Sequence, residues 1–460
     1  MTICFPSIEN RPGPRYVAIA EAIADAVRGG ELAVGTRLPP QRNLADQLGL
    51  TVSTVTRGYA LAKQRGYVSG EVGRGTFVRD PRKGGSFTFV GSSENGQIDL
   101  TCYRPAPNDQ EAAIGAEFNV LARRMSSNMI LRYPPAAGFA THRQAGAAWL
   151  RRAGLEMDPD NIIVCGGAQQ SIATLLSGLT TPGDTVLTEA LTYSGLRELA
   201  GLFRLRLEGI AMDDHGAIPE ALDAAAANGA RLVFLQPTLH NPTTTVMPLE
   251  RRLQIVEVAR RRDLSIIEDD VCGALVLDRP APLAMLAPER TCYVTSTSKC
   301  IAPSLRVGFV AAPPDMVERL AATHHTLTLA AAPIMTEIAA AMLADGSADR
   351  IITLQRAESE RRHAIAAEIL AGQSFRAQPN GFHIWLALPQ PWHAEDFAAA
   401  ARFRGVTVVP AENFIVARGN APHAVRVALT SAPTADMLRR GLTILADLLV
   451  SHHQPRGSIV

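Results

Sequence analysis

The sequence predicts a multidomain protein in which a small helical module with a β-hairpin precedes a larger α/β domain. Apolar residues recur at helical spacing before residue 79, Gly, Ser and charged residues fill residues 80–97, and short apolar strands alternate with helices from about residue 110. We therefore expect an N-terminal domain at residues 12–79, a linker at 80–109 and an α/β domain at 110–453, whose small α+β subdomain occupies about 345–453.

The composition is that of an ordinary soluble globular protein: 47% of the 460 residues are hydrophobic and 19% are charged. A formal net charge of +1 gives no global reason to expect a polyanionic partner. Residues 1–10 lack a basic start followed by an apolar core, and no run of about 18 apolar residues follows, so neither a signal peptide nor a membrane span is expected. The six cysteines form no CxxC pair, which favours a reducing cytoplasm and predicts no metal site.

The N-terminal module is predicted to contain three helices and a hairpin. The first helix carries apolar residues at helical spacing and ends at Gly29-Gly30. A second helix around Leu44 ends at Gly49, and a third begins near Ser53, which can cap it. Two short strands on either side of a glycine-rich turn then form a hairpin. Two short helices joined at Gly49 and followed by a hairpin are typical of a winged helix-turn-helix.

The third helix would present hydroxyl groups and an arginine near its N-terminus, which suits contacts with phosphates and base edges. Residues 40–79 contain six basic residues against two acidic ones, an excess that the near-neutral total hides. This pattern predicts binding to double-stranded DNA. The alternative is a helical dimerisation module without a nucleic acid.

The same segment resembles the winged-helix domain of the GntR family over nearly its whole length. The resemblance is carried by three runs: Gly35-Thr36-Arg37-Leu38-Pro39-Pro40-Gln41-Arg42-Asn43-Leu44-Ala45, Ser53-Thr54-Val55-Thr56-Arg57-Gly58-Tyr59 and Gly73-Arg74-Gly75-Thr76-Phe77-Val78. It implies that DNA is contacted by Arg42, Ser53, Thr54, Thr56, Arg57, Arg74, Gly75 and Thr76. The family often has arginine before the Ser/Thr pair, and this chain has Val52 instead, which leaves a base contact missing or replaced by an apolar one.

The larger domain is predicted to contain a mainly parallel sheet with helices on both faces. The strands expected are Ile162–Cys165, Thr185–Thr188, Leu232–Gln236, Ser265–Glu268, Tyr293–Ser296 and Val307–Ala311. The smaller subdomain is expected to contain strands at Phe382–Leu388, Val406–Val409 and Val425–Leu429 and a closing helix at Asp436–Val450.

A lysine stands in a run of small hydroxyl residues, Ser296-Thr297-Ser298-Lys299, directly after a predicted buried strand. Arg306 follows seven positions later, before the next strand. A partly desolvated amine beside hydroxyls and a guanidinium suits a Schiff base with a phosphorylated aldehyde. On this segment alone, a solvated surface lysine is an equally good interpretation.

Four further segments add polar groups at strand ends. Cys165-Gly166-Gly167-Ala168-Gln169-Gln170 opens a helix and can seat a phosphate, although many strand-to-helix turns use glycine. Asn241, in a Pro-rich turn, and Asp269, after a buried strand, reach the edge where ligands bind in open α/β sheets. Local capping, or for the acids a metal site, is the alternative for each. Tyr193 can stack on a flat ring, and a core role is the alternative.

In this order the segments resemble the fold-type I pyridoxal-phosphate enzymes, the aspartate aminotransferase-like class, over about residues 110–450. The resemblance implies pyridoxal 5'-phosphate as cofactor, with Lys299 forming the internal aldimine and Asp269 pairing with the ring nitrogen. Asn241 would bond the ring 3-oxygen and Tyr193 would stack on the ring. The phosphate would be held by Ala168, Gln169, Ser296, Ser298, Arg306 and, from the neighbouring subunit, Tyr133. Arg426 would clamp a substrate carboxylate; taken alone, it also fits a surface strand arginine.

Two departures from that class stand out. The class usually has a tyrosine two or three positions after the aspartate, bonded to the 3-oxygen, and here those positions are Val271 and Cys272. We expect this change to alter the pKa of the aldimine and to weaken transamination. The usual Asn-Pro-Thr-Gly is Asn-Pro-Thr-Thr, so Thr244 makes the backbone less permissive there.

Taken together, the two modules resemble the MocR subfamily of bacterial transcriptional regulators. That resemblance implies a homodimer that binds operator DNA and senses a small amino compound through the Lys299 aldimine. One alternative is an active aminotransferase with an accessory winged helix, since Lys299, Asp269, Asn241 and Arg426 are all present. Another is a constitutive DNA-binding protein whose cofactor is purely structural.

Overall fold

The computed structural model describes residues 14–28, 31–33, 35–64, 67–71, 75–78, 97–125, 131–416 and 421–451. The chain divides into two compact units between residues 89 and 90, and each unit has a hydrophobic core of its own. Within these ranges, no helix combines the length and the apolar character needed to cross a membrane.

The first unit has the predicted winged helix-turn-helix fold. It comprises helices α1 (Arg15–Arg28), α2 (Gln41–Leu48) and α3 (Val52–Gln64) and an antiparallel hairpin of β1 (Val68–Glu71) and β2 (Gly75–Val78). Gly49 ends α2 in the left-handed conformation, with φ of 64°, and turns the chain into α3. Gly58 lets α3 approach α1 closely, since a Cβ there would lie 2.8 Å from Ile19 Cγ2.

Residues 97–109 differ from the sequence interpretation, which assigned them to the linker. In the structure they lie in the second unit, where β3 (Ile98–Asp99) pairs in parallel with the strand at residues 406–407. Ile98 and Leu100 are buried in that unit's core. This stretch is mostly polar, so its local pattern indicates a linker. Its two apolar side chains have packing partners that are distant in the sequence, and a local pattern cannot show such contacts.

The second unit is built on a seven-stranded sheet in the order β4-β12-β11-β10-β9-β5-β6. Only β12 runs antiparallel to its neighbours, so the other six strands end at one edge. The strands are β4 (Ile162–Cys165), β5 (Thr185–Glu189), β6 (Arg206–Ile210), β9 (Leu232–Leu235), β10 (Ser265–Asp269), β11 (Thr291–Ser296) and β12 (Gly308–Ala311), and β7 (Met212–Asp213) and β8 (Gly216–Ala217) form a separate small hairpin. This confirms the predicted α/β architecture, although β6 was not expected.

Helices cover both faces of this sheet. Alternate residues of its strands accordingly belong to different hydrophobic clusters, one on each side of the sheet. The helices are α4 (Gln110–Arg124), α5 (Ala140–Arg151), α6 (Ala168–Leu179), α7 (Ser194–Leu202), α8 (Pro219–Ala226), α9 (Leu249–Arg261), α10 (Leu283–Leu286), α11 (Pro314–Thr328) and α12 (Pro333–Ala344).

The last hundred residues form the expected small α+β subdomain around an antiparallel sheet in the order β13-β14-β17-β16. Its strands are β13 (Phe375–Ala377), β14 (His383–Ala387), β15 (Val406–Thr407), β16 (Val409–Pro410) and β17 (Ala424–Ala428), of which β15 pairs with β3. Its helices are α13 (Ser347–Ile369), α14 (Ala394–Phe403) and α15 (Ala435–Ser451).

Candidate functional site

Lys299 lies just beyond β11, at the edge where the parallel strands end. Its Nζ donates a hydrogen bond to the main-chain oxygen of Tyr103, at 2.6 Å, and lies 5.0 Å from the centre of the Tyr103 ring. Burial lowers the pKa of Lys299 below its ordinary value. A lowered pKa increases the fraction of neutral amine, which is the nucleophilic form.

Asp269, the last residue of β10, is buried at the same edge. Its Oδ2 accepts a hydrogen bond from Gln236 Nε2 at 2.7 Å, whereas its Oδ1 is buried without a partner among the described residues. Burial raises the pKa of this carboxyl to about 7. A buried oxygen that lacks a donor fits a ligand group that brings an N–H.

Glu189, at the end of β5, is a second acid bound to the same glutamine. Its Oε1 accepts a hydrogen bond from the Gln236 main-chain N–H at 3.1 Å, and burial raises its pKa to about 8. The sequence reasoning did not identify Glu189 or Gln236. The available signal was their position, since each stands at the carboxyl end of a buried strand of one parallel sheet.

Arg426, in β17, reaches the site from the small subdomain and is 1% exposed. Its Nη1 donates to Asn241 Oδ1 at 2.8 Å and its Nη2 donates to Thr101 O at 2.7 Å. The guanidinium carbon lies 5.7 Å from the centre of the Tyr103 ring, so the structure brings Arg426 and Lys299 to one aromatic side chain. Burial lowers the pKa of Arg426 to about 10.

The predicted phosphate seat is assembled where β4 ends and β12 begins, because these strands are neighbours. Arg306 Nη2 donates to Gly166 O at 3.0 Å. Gly167, with φ of 97°, precedes α6, and a Cβ there would lie 2.9 Å from Arg306 Nη2. The guanidinium therefore lies directly against the turn at the N-terminus of the helix, an arrangement that suits an anion.

The other predicted phosphate-binding residues lie around this turn. Ala168 and Gln169 are the first two residues of α6. Ser298 N donates to Ser296 Oγ at 3.2 Å, and the Ser298 hydroxyl is buried without a partner in the described part of the chain. A buried hydroxyl and a free helix terminus leave polar capacity for a bound phosphate.

The two predicted tyrosines occupy different environments. Tyr193 directly precedes α7, and burial raises its pKa to about 12, with Asp269 among the nearby charges that contribute. It therefore lies close to Asp269. Tyr133 is 82% exposed in this chain. The structure thus does not bring Tyr133 to the site of its own chain.

Two departures noted in the sequence have structural counterparts. Cys272, at the position where a tyrosine was expected, places its Sγ 3.0 Å from the hydroxyl of Tyr103. Thr244 adopts φ of 63°, the left-handed region that a glycine there would enter without strain. A hydrogen bond from Thr244 N to His240 O, at 2.7 Å, stabilises the turn.

On the first unit, the predicted DNA-contacting side chains lie mostly on the surface. Arg42, Ser53, Thr56 and Arg57 are exposed, and Thr54, Gly75 and Thr76 are half-buried. Arg74 lies outside the described residues. Val52, which is 43% exposed, opens α3 as an apolar contact surface.

Arg37 is a residue of this surface that the sequence reasoning did not select. A Cβ on Gly75 would lie 2.7 Å from Arg37 Nε, so the guanidinium lies along the wing strand. Its presence in the motif before α2 was visible, but its proximity to the wing depends on the fold.

Comparison with known proteins identifies both units. Residues 15–78 match the family described as bacterial regulatory proteins, gntR family, and residues 97–445 match aminotransferase class I and II. The uncharacterized HTH-type transcriptional regulator YdeF of Bacillus subtilis is 30% identical over 446 residues, which cover 96% of each chain. The chain belongs to the MocR type of gntR-family regulators. The uncharacterized HTH-type transcriptional regulator YdcR of Escherichia coli is 25% identical, covering 87% of this chain and 92% of its own.

The fold of the second unit is shared with solved aminotransferases. The α-aminoadipate aminotransferase LysN of Thermus thermophilus, complexed with N-(5'-phosphopyridoxyl)-L-leucine, superposes with a TM-score of 0.69 at 24% identity, over 78% of this chain and 93% of its own. An archaeal alanine:glyoxylate aminotransferase gives a TM-score of 0.71 at 24% identity, over 78% and 92%. For this MocR-type chain the aminotransferase class I and II domain implies pyridoxal 5'-phosphate as cofactor.

The residues present fit that cofactor on the geometry alone. The unpartnered Asp269 Oδ1 suits a ring N–H, the Lys299 amine suits the aldehyde, and the turn beside Arg306 suits the phosphate. The cofactor supplies an electron sink, and these side chains supply its position and charge.

Proposed function

We propose that this protein is a pyridoxal-phosphate-dependent DNA-binding transcriptional regulator that senses an amino compound through the Lys299 aldimine. The observation that carries this proposal is that Lys299 and Arg426 both lie beside the ring of Tyr103. A lysine that can hold the cofactor as an aldimine, which an incoming amine can attack, and a guanidinium that can bind a carboxylate would suit the two ends of an amino acid.

The hydrogen bonds of Arg426 support a carboxylate ligand. Its two acceptors, Asn241 Oδ1 and Thr101 O, are neutral, and it makes no ion pair with a carboxylate among the described residues. A buried guanidinium bonded only to neutral groups gains charge-assisted hydrogen bonds when a carboxylate replaces one of them. We therefore infer an effector that carries both an amine and a carboxylate.

The regulatory use of the site is supported by the first unit. The exposed hydroxyls at the start of α3, together with Arg57 on α3 and Arg42 on α2, suit contacts with DNA phosphates and base edges, and the hairpin offers a second contact region. The two family matches leave residues 79–96 between them. We infer that this stretch, rather than residues 80–109, links the two functions.

We also infer that the protein acts as a homodimer. Tyr133 and Leu131, which are two positions apart, are 82% and 77% exposed in the single chain, which is unusual for two large hydrophobic side chains so close in sequence. Burial of this surface against a second copy would bring Tyr133 to the partner's phosphate seat, and two winged helices would suit paired half-sites. Sedimentation of the full chain tests this inference, since a monomer at micromolar concentration would contradict it.

The central test measures binding of the cofactor-loaded protein to DNA from upstream of its own gene, with a panel of amino acids and amines. We expect at least one amino acid to change the affinity about tenfold. Lys299→Ala should lose the visible absorbance and the response of DNA affinity to the amino acid while keeping the fold, whereas Arg231→Ala, which removes an exposed cation of the second unit, should keep both. Failure to bind any upstream fragment at moderate salt would contradict the regulator proposal.

An active aminotransferase is the second candidate, favoured by the retention of Lys299, Asp269, Asn241 and Arg426 in one site. Sustained keto-acid formation from an amino donor would support it if the turnover rate were about 1 s⁻¹ or faster, as in ordinary enzymes. The Cys272 position argues for the regulator, because the class tyrosine at this point is absent.

A further inference from the structure

Tyr103 contacts both Lys299 and Cys272 in the candidate site, although it has been given no role there so far. Its main-chain oxygen accepts the Lys299 hydrogen bond, its ring lies 5.0 Å from Lys299 Nζ, and its hydroxyl lies 3.0 Å from Cys272 Sγ. It stands far from Lys299 in the chain, so no sequence motif links the two.

The Tyr103 side chain is held in one orientation. Its ring packs edge-on against Phe382, with centroids 5.8 Å apart, and against His383, at 5.1 Å. The consecutive residues Phe382 and His383, at the start of β14, and Cys272, after β10, therefore hold the ring, which allows it to position a flexible lysine in turn.

The main chain of Tyr103 is fixed as well. Leu100 N donates to Thr407 O at 3.0 Å, and Thr430 Oγ1 donates to Arg104 O at 2.6 Å. The carbonyl between these anchors is thus a stationary acceptor for Lys299.

The ring also lies beside the second cation of the site. Arg426 and Lys299 both contact it, and a positive charge is attracted by an aromatic face. The ring therefore lies beside two cationic side chains, and its face offsets part of the unfavourable effect of placing like charges near each other.

We propose that Tyr103 is a positioning residue that holds the Lys299 amine for reaction with the cofactor, from a chain position remote from the one where the class carries its tyrosine. The proposal rests on the proposed function for the identity of the lysine's reaction partner. It predicts that the ring face matters more for cofactor binding than the hydroxyl does, because the ring lies beside Lys299 whereas the hydroxyl contacts Cys272.

The test is a titration of cofactor-free, full-length protein with pyridoxal 5'-phosphate at several pH values, followed by visible absorbance and by quenching of tryptophan fluorescence. Tyr103→Leu keeps apolar cover over the amine but removes the aromatic face. We expect its affinity to fall about fivefold to tenfold, and the pH midpoint of the association rate to move about half a unit to one unit lower. The direction follows because the ring face stabilises the protonated amine.

Tyr103→Phe is the matched variant, since it keeps the ring and the carbonyl. It should behave like the wild type in both quantities, as should Cys272→Ala, which removes the partner of the hydroxyl. Tyr103→Met provides a second apolar replacement if the leucine variant folds poorly. Wild-type affinity and midpoint in both Tyr103→Leu and Tyr103→Met would overturn the proposal.

A separate outcome would count against the proposed function instead. If Lys299→Ala bound the cofactor with unchanged visible absorbance, Lys299 would not be the reacting amine, whatever the Tyr103 variants showed.

Discussion

Two buried carboxyl groups dominate the electrostatics of the site at the residue scale. Asp269 and Glu189 share Gln236, and burial raises their pKa values to about 7 and about 8. In the cofactor-free protein each is thus partly protonated near neutral pH. A ring N–H at Asp269 Oδ1 would favour the ionised form of that carboxyl, so cofactor binding would be coupled to loss of the proton from Asp269.

The raised pKa of Asp269 predicts that the stability of the cofactor-free protein depends on pH. Unfolded Asp269 has the ordinary pKa of 3.8 and the folded value is about 7, so between these values only the folded state holds the proton. The stability that the group contributes is therefore full below about pH 4 and is lost as pH rises towards 7, by at most about 1.4 kcal/mol per pH unit. Asp269→Asn removes this contribution, so the free energy of unfolding of the cofactor-free protein should vary less between pH 5 and 7.

Urea unfolding followed by tryptophan fluorescence checks this prediction for the second unit, because all three tryptophans, Trp149, Trp385 and Trp392, belong to it. Asp213→Asn is the control: its Arg251 partner lowers the pKa of Asp213 to about 2, so its stabilising effect is lost only in more acidic solution. Equal slopes for the Asp269 variant and the wild type would contradict the assignment.

At the scale of elements, the turn between β4 and α6 determines where a phosphate can bind. Gly167→Ala would push a methyl group to 2.9 Å from Arg306 Nη2 and would strain a φ of 97°. We expect a loss of cofactor affinity of about tenfold or more, because the guanidinium must move. Equilibrium titration of pyridoxal 5'-phosphate measures it.

The chain offers a matched control for this variant. Gly183 has φ of 98°, and a Cβ there would meet no atom within 4 Å. Gly183→Ala therefore carries the same backbone strain without the contact, and its cofactor affinity should remain unchanged. A similar loss in both variants would assign the effect to backbone strain and exclude displacement of Arg306.

The start of the helix-turn-helix supports a second prediction at this scale. Arg42 is exposed on α2, and its removal in Arg42→Ala should weaken DNA binding about fivefold to tenfold and reduce the slope of log affinity against log salt by about one. Arg15→Ala, an exposed arginine of α1 outside the helix-turn-helix, is the control. Fluorescence anisotropy at several salt concentrations distinguishes the two, and equal slopes would contradict a phosphate contact.

Strands that consist of a continuous run of buried apolar residues could be predicted from the sequence, because the run itself is visible in the sequence. Ile162–Cys165 was predicted with its observed bounds, whereas β6 was missed because Arg206 and Glu208 break the apolar run of an edge strand. The site residues near strand ends could also be identified from the sequence. The contacts of Tyr103 with Lys299 and Cys272 could not be identified in this way, since they depend on tertiary packing between remote segments.

At the scale of the whole molecule, residues 99–104 stand in the chain shortly after residues 79–96, the stretch that we infer to link the two units. The carbonyls of Thr101 and Tyr103 in this segment accept hydrogen bonds from Arg426 and Lys299. The carboxylate of a bound amino acid would compete for the Arg426 donor. The segment would then lose its bond from Arg426 to Thr101 O, which gives the ligand a differential effect on the start of the second unit.

The last prediction follows from this connection. If an amino acid changes the affinity for operator DNA by some factor, DNA must change the affinity for that amino acid by the same factor, because the coupling free energy is reciprocal. Arg426→Gln should reduce this coupling towards one for an amino acid, since the carboxylate no longer displaces Thr101 O. Its effect on an amine of similar size without a carboxylate should be small. Titrations of each ligand with and without saturating DNA measure both factors, and unchanged amino-acid coupling in Arg426→Gln would show that Arg426 does not transmit the signal.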